Sequence, residues 1–114
     1  MPDKQDLNRL VHMLEAAKEA VGYTVGRDRE DLNSDRQLVH SLVRCLEIIG
    51  EAATRVSTQC KSDIAHIQWE DMTGMRNRLI HAYFDINLNI VWRTVKEELP
   101  TLIEELEKNM GPKQ

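Results

Sequence analysis

The chain reads as an all-α protein, an up-and-down bundle of four main helices joined by short helical turns. Apolar residues recur at steps of three and four along most of the sequence, the period of a helix with one buried face. Three prolines, five glycines and 30% charged residues in 114 positions describe a compact helical chain, not a linker or disordered tail. One Phe, two Tyr and two Trp leave the core to Leu, Ile, Val, Ala and Met. The length is that of a single domain spanning residues 1–114 and suffices to bury a core unaided.

Asp3 is the expected N-cap of a first helix, whose inward stripe is Leu7, Leu10, Leu14, Ala17 and Val21. Gly22 and Gly26 place its end close to residue 22. The polar run Arg27–Asp31 is a solvated connection with room for a helical turn. Ser34 followed by Gln37 has the form of a capping box. It opens the longest helix, along which Val39, Leu42, Leu46, Ile49, Ala53 and Val56 form the apolar face, widened by Val43 and Gly50. A glycine inside a helix costs about 1 kcal/mol against Ala, a cost that either a close helix–helix approach or plain tolerance would explain. Residues 57–68 lose the period and read as a loop with one helical turn.

The third helix starts near Trp69 or Glu70, with Glu70 and Asp71 suiting its positive end. Asn87 or Asp85 can cap the fourth, which buries Leu88, Val91, Val95, Leu99, Leu102 and Leu106. Pro100 falls inside that pattern and should kink the helix. The tail 110–114 should be flexible.

The formal charge of −4 counts against broad, nonspecific binding of nucleic acid but leaves room for a local basic patch. Arg27, Arg29, Arg36, Arg44 and Arg55 precede Arg76 and Arg78. The N-terminus has no apolar signal-peptide core, and no run approaches the roughly 18 apolar residues of a membrane span. Cys45 and Cys60 form neither a metal-type pair nor a disulfide framework, which suits reduced thiols in a cytoplasm. His12, His40 and His66 share no metal-ligand spacing and read as structural. The acidic run Glu97, Glu98, Glu104, Glu105 and Glu107 is a solvated face that could also receive a basic partner.

Arg76-Asn77-Arg78-Leu79-Ile80-His81-Ala82-Tyr83 is chemically the most loaded stretch. A guanidinium and an imidazole in one short segment can hold a phosphate anion and move a proton near neutral pH. On a continuous helix, at about 100° per residue, Met72, Met75, Leu79 and Ala82 would face the core. Arg76 would align with Tyr83, and Asn77 with His81, but Arg76 and His81 would diverge. A compact site therefore needs an unwound helix end or a second copy of the segment, as a two-fold dimer supplies. Gly74 would let another backbone approach.

Arg76-x4-His81-x-Tyr83 matches the Rx4HxY motif of the HepT-like branch of the HEPN superfamily. The flanks agree: Ile48-Ile49-Gly50-Glu51-Ala52 resembles that branch's IGEA helix, Trp69-Glu70-Asp71-Met72 leads into the motif, and Phe84 and Val91-Trp92 follow it. The resemblance covers essentially the whole chain. It implies a HEPN-type helical bundle and a metal-independent endoribonuclease, the toxin of a type VII-like toxin–antitoxin pair, needing no cofactor. Arg76 and His81 would be the catalytic pair, with Asn77 and Arg78 orienting substrate or phosphate. Tyr83 would be the residue modified with AMP. The partners implied are RNA, an MNT-type nucleotidyltransferase antitoxin and a second copy sharing a composite active site, extendable to a higher hetero-oligomer. The alternative is a non-catalytic helical module that binds a nucleotidyltransferase or nucleotide, which the acidic charge would suit better.

Overall fold

The computed structural model describes residues 2–82 and 85–110, residues 80–82 through their backbone. Helix α1 spans Lys4–Tyr23, α2 Asp31–Ser34, α3 Arg36–Arg55 and α4 Thr58–Asp63. The short helices α5, Trp69–Thr73, and α6, Met75–Leu79, lead into a two-stranded antiparallel hairpin of β1, Ile80–Ala82, and β2, Asp85–Ile86. Helix α7, Leu88–Arg93, then passes through a π-helical turn, Thr94–Glu98, into α8, Leu99–Asn109. The molecule is an all-α bundle, with α3 packed against α1, α5, α6 and α7, and α1 also against α8.

Caps fix where the helices begin. The Asp3 carboxylate accepts from the Asp6 amide at 2.8 Å, as expected. The cap of α3 is Asp35, not Ser34: its carboxylate accepts from the Leu38 amide at 3.0 Å. Ser34 is itself helical, the last residue of α2, whereas Asp35 sits at φ −106, ψ 89, outside the helix. Where a loop with one turn was expected, α4 forms six residues under a Ser57 cap.

The core is aliphatic. Leu10, Met13, Leu42, Leu46, Ile49, Met75, Leu79, Val91, Val95, Leu99 and Leu106 are fully buried. On α1 Leu10, Leu14 and Ala17 are buried as expected, but the inward face is centred further round the helix: Leu7 is 37% exposed, while Met13, Ala16 and Ala20 are buried. The reason is Asp6, which is buried and accepts from the Ser57 amide at 2.8 Å and hydroxyl at 2.6 Å. These bonds draw its carboxyl below the usual range, against a smaller opposing effect of burial.

Two features set the placement of the loaded stretch. A Cβ on Gly50 would lie 3.1 Å from the Met72 carbonyl oxygen and 3.3 Å from the Met75 Cβ, so the glycine marks the close approach that its position suggested. The expected third helix is divided at Gly74 and ends at Leu79. The Leu79 carbonyl, which a continuing helix would offer to the amide four residues on, accepts instead from the Asn87 amide at 2.8 Å. The Asn87 side chain in turn caps α7, accepting from the Ile90 amide at 3.1 Å. Further on, the Leu99 amide bonds to the Thr94 carbonyl, the wider spacing of a π turn, and Pro100 follows at the start of α8 with no amide to give.

Candidate active site

Arg76 and Asn77 stand exposed on α6, carried by two buried anchors, Met75 and Leu79. The Arg76 side chain is 68% exposed, and its Nε lies 3.3 Å from a carboxylate oxygen of Glu47 on α3. It belongs to the rim of a groove of about 600 Å³ bounded by α1, α3 and α5–α6. Arg9 and His12 line it from α1; Arg44, Glu47, Glu51 and Arg55 line it from α3. The α3 contributors Arg44, Ile48, Glu51 and Arg55 recur at steps of four, three and four, a stripe parallel to the buried one.

His81 is not on the helix that bears Arg76. The backbone leaves α6 after Leu79 and runs extended through Ile80–Ala82. Ile80 pairs with Ile86 and Ala82 with Asp85, so His81 is the extra residue of the longer strand, with no counterpart on β2. Of the two arrangements that the spacing allowed, an unwound helix end or a second copy of the segment, the first is present in the backbone. The side chain of His81 lies outside the described residues, as do Tyr83 and Phe84 and residues 111–114.

Arg78 points elsewhere. Its two terminal nitrogens donate to the two carboxylate oxygens of Glu98 at 3.1 and 2.8 Å, a two-pronged pair bridging α6 and the π turn. The Glu98 carboxylate raises the Arg78 pKa further, outweighing the opposing effect of partial burial. The structure thus brings Arg76 and Asn77 to one exposed helix and sends Arg78 into a structural pair.

Among the described residues, no three His, Cys, Asp or Glu side chains are grouped as a metal site needs. Both cysteines are buried, and burial pushes the Cys45 thiol up to about 11, which leaves it a poor nucleophile. His12, His40 and His66 are all exposed, and His12 shares the groove with Arg76. Sequence reasoning read His12 as structural and did not single out Glu47; the visible signal of the groove was the stripe on α3 that carries Arg44 and Arg55. No described helix is long and apolar enough to cross a membrane.

Residues 13–109 match the family model described as ribonuclease HepT-like. A Methanocaldococcus jannaschii protein named as a candidate RNase is 32% identical over 108 residues, covering 95% of this chain and 89% of the relative. A Thermococcus cleftensis protein named as a candidate ribonuclease HepT is 40% identical over 79 residues, 69% of this chain and 72% of the relative. A third, from Caldanaerobacter subterraneus and also named as a candidate RNase, is 33% identical over 99 residues, 87% of this chain and 88% of the relative. No solved structure matches. With nearly its whole length matched and the Arg76-x4-His81-x-Tyr83 motif intact, this chain belongs to the ribonuclease HepT-like family of the HEPN superfamily.

Proposed function

We propose that the protein is a metal-independent endoribonuclease, acting in the cytoplasm as the toxin of a HEPN/MNT toxin–antitoxin pair. The observation that carries this reading is the family motif, with Arg76 exposed on a groove and His81 beyond the end of its helix. The 2′-oxygen attacks phosphorus and the bond to the leaving 5′-oxygen breaks, giving a 2′,3′-cyclic phosphate and a 5′-hydroxyl. His81 accepts the 2′-hydroxyl proton or protonates the 5′-oxygen, the two roles that histidine fills in acid–base catalysis. A homodimer with a composite site supplies a second His81 for the complementary step. Arg76 holds the phosphate and stabilises the charge that grows on it. Asn77 orients the phosphate, and Arg78 can reach substrate only by giving up Glu98.

In this reading an MNT-type nucleotidyltransferase silences the enzyme by joining AMP from ATP to the Tyr83 oxygen, releasing pyrophosphate, or by binding it as a complex. AMP adds negative charge and bulk beside the phosphate site. The alternative, a non-catalytic module for the nucleotidyltransferase or a nucleotide, draws support from the Glu47 carboxylate beside Arg76 and the charge of −4.

Incubation of the purified protein with total RNA in EDTA, beside Arg76→Ala and His81→Ala, decides between them. Cleavage by wild type alone, leaving cyclic-phosphate ends, is the expected result. Silence from wild-type protein whose intact mass shows no AMP would establish the binding module instead.

A further inference from the structure

The groove that Arg76 borders gathers basic side chains in a protein that is acidic overall. Four arginines (Arg9, Arg44, Arg55 and Arg76) and His12 face two glutamates. The glutamates are committed: Glu51 to Arg55 at 2.8 Å and Glu47 to Arg76 at 3.3 Å. Among the described residues, Arg9 and Arg44 have no ion-pair partner, so their charge is free for an anion. Among the described residues, the groove's lining includes no Phe, Tyr or Trp on which bases could stack. The concavity also continues: a neighbouring hollow shares Arg44 and Ile48 and runs along α3 to His40 and Gln37, with Glu19 and Tyr23 on its α1 side. From Arg55 to Gln37 the helix covers about 27 Å at about 1.5 Å per residue.

An open groove whose described lining near Arg76 holds unpaired guanidiniums and no Phe, Tyr or Trp matches a run of phosphates, with Tyr23 placed to meet a base only at the far end. We infer that the groove between α1, α3 and α5–α6 is the track for the sugar–phosphate backbone of single-stranded RNA flanking the scissile bond, with Arg9 and Arg44 as phosphate contacts. This rests on the ribonuclease reading and specifies how substrate reaches Arg76. Contacts of this kind position a strand without reading its sequence. Glu47 and Glu51 then oppose binding, and the pairs they make with Arg76 and Arg55 open as phosphate takes their place.

The test uses His81→Ala protein, to avoid cleavage, and a short fluorescein-labelled oligouridylate, followed by anisotropy over a range of salt. Each phosphate neutralised contributes about 0.7 to the slope of log affinity against log salt for a single strand. The Arg9→Gln/Arg44→Gln pair should lower that slope by about 1.4 and weaken binding roughly tenfold at low salt. Glu47→Gln/Glu51→Gln should tighten binding, a gain that a damaged fold cannot mimic. Lys108→Gln, an exposed cation elsewhere, serves as the control. Tight binding with an unchanged slope in the arginine variants overturns the track. So does an unchanged slope with a loss of oligomer mass in light scattering, which would make the groove a protein interface. Absence of oligouridylate binding by the parent at every salt concentration overturns the ribonuclease reading itself, a different failure from the first two.

Discussion

The amide of Asn87 donates to the carbonyl of Leu79 at 2.8 Å. One hydrogen bond thus joins the end of the helix that carries Arg76 to the residue that caps α7. The Asn87 side chain fixes the same junction by capping α7. Asn87→Ala keeps the backbone bond and removes the cap, at a cost of about 1 kcal/mol. Amide exchange in residues 79–91 should rise more than in α1 or α3, and RNA cleavage should fall with it. Equal exchange throughout the chain would show that the cap does not hold this junction.

Gly50 sets the spacing between α3 and the site-bearing helices. Ala at this position gains about 1 kcal/mol of helix propensity, yet its methyl must displace a backbone carbonyl and the Met75 Cβ, an overpacking that costs about 1–3 kcal/mol. Gly50→Ala should therefore be destabilising by roughly 1 kcal/mol in urea unfolding. Its cleavage rate should fall by more than stability alone explains, because Arg76 adjoins Met75.

Asp6 makes stability depend on acid. Its folded pKa lies below the unfolded value near 3.9, because Ser57 donates two hydrogen bonds to the carboxylate. The contribution is complete above the unfolded pKa and is lost as pH falls through the folded one. Asp6→Asn should lower stability by roughly 2 kcal/mol at neutral pH. The gap from wild type should close below about pH 4, which urea titrations at several pH values would show.

Arg78 and Glu98 join α6 to the π turn through a pair whose side chains are only 30% and 32% exposed. A double-mutant cycle with Arg78→Ala and Glu98→Ala should return a coupling of about 1 kcal/mol. Arg78→Lys should recover only part of it, since an ammonium cannot reproduce the fork. A coupling near zero would return Arg78 to the pool of substrate contacts.

The helix-forming periods, the aliphatic core of α3, α7 and α8 and the role of Gly50 were legible in the sequence because each follows from local spacing. The Asn87 cap and the interruption at Pro100 were legible for the same reason. What escaped depends on partners distant in the chain. The rotation of α1 turns on Asp6 meeting Ser57, 51 residues away. The end of α6 turns on Leu79 meeting Asn87, and Arg78 pairs with Glu98, 20 residues on. The Ser34 box misled because Asp35, one residue later, offers an equally good oxygen from a non-helical backbone. Of the candidate site, the motif could be read directly, as could the choice between an unwound helix end and a second copy of the segment. The groove could not, because Arg9 and His12 reach it from another helix.

The Leu79–Asn87 bond also has a meaning in the order of synthesis. A chain emerging from the ribosome delivers α1 and α3 first, and domains generally build from that end. The helix bearing Arg76 follows with a bed on α3 to lie on, but the amide that closes its far end and the α7 helix it packs against come later. A nascent chain halted before Asn87 holds the whole motif and lacks its clasp. This junction is therefore complete only once translation has passed the motif and added the helix behind it.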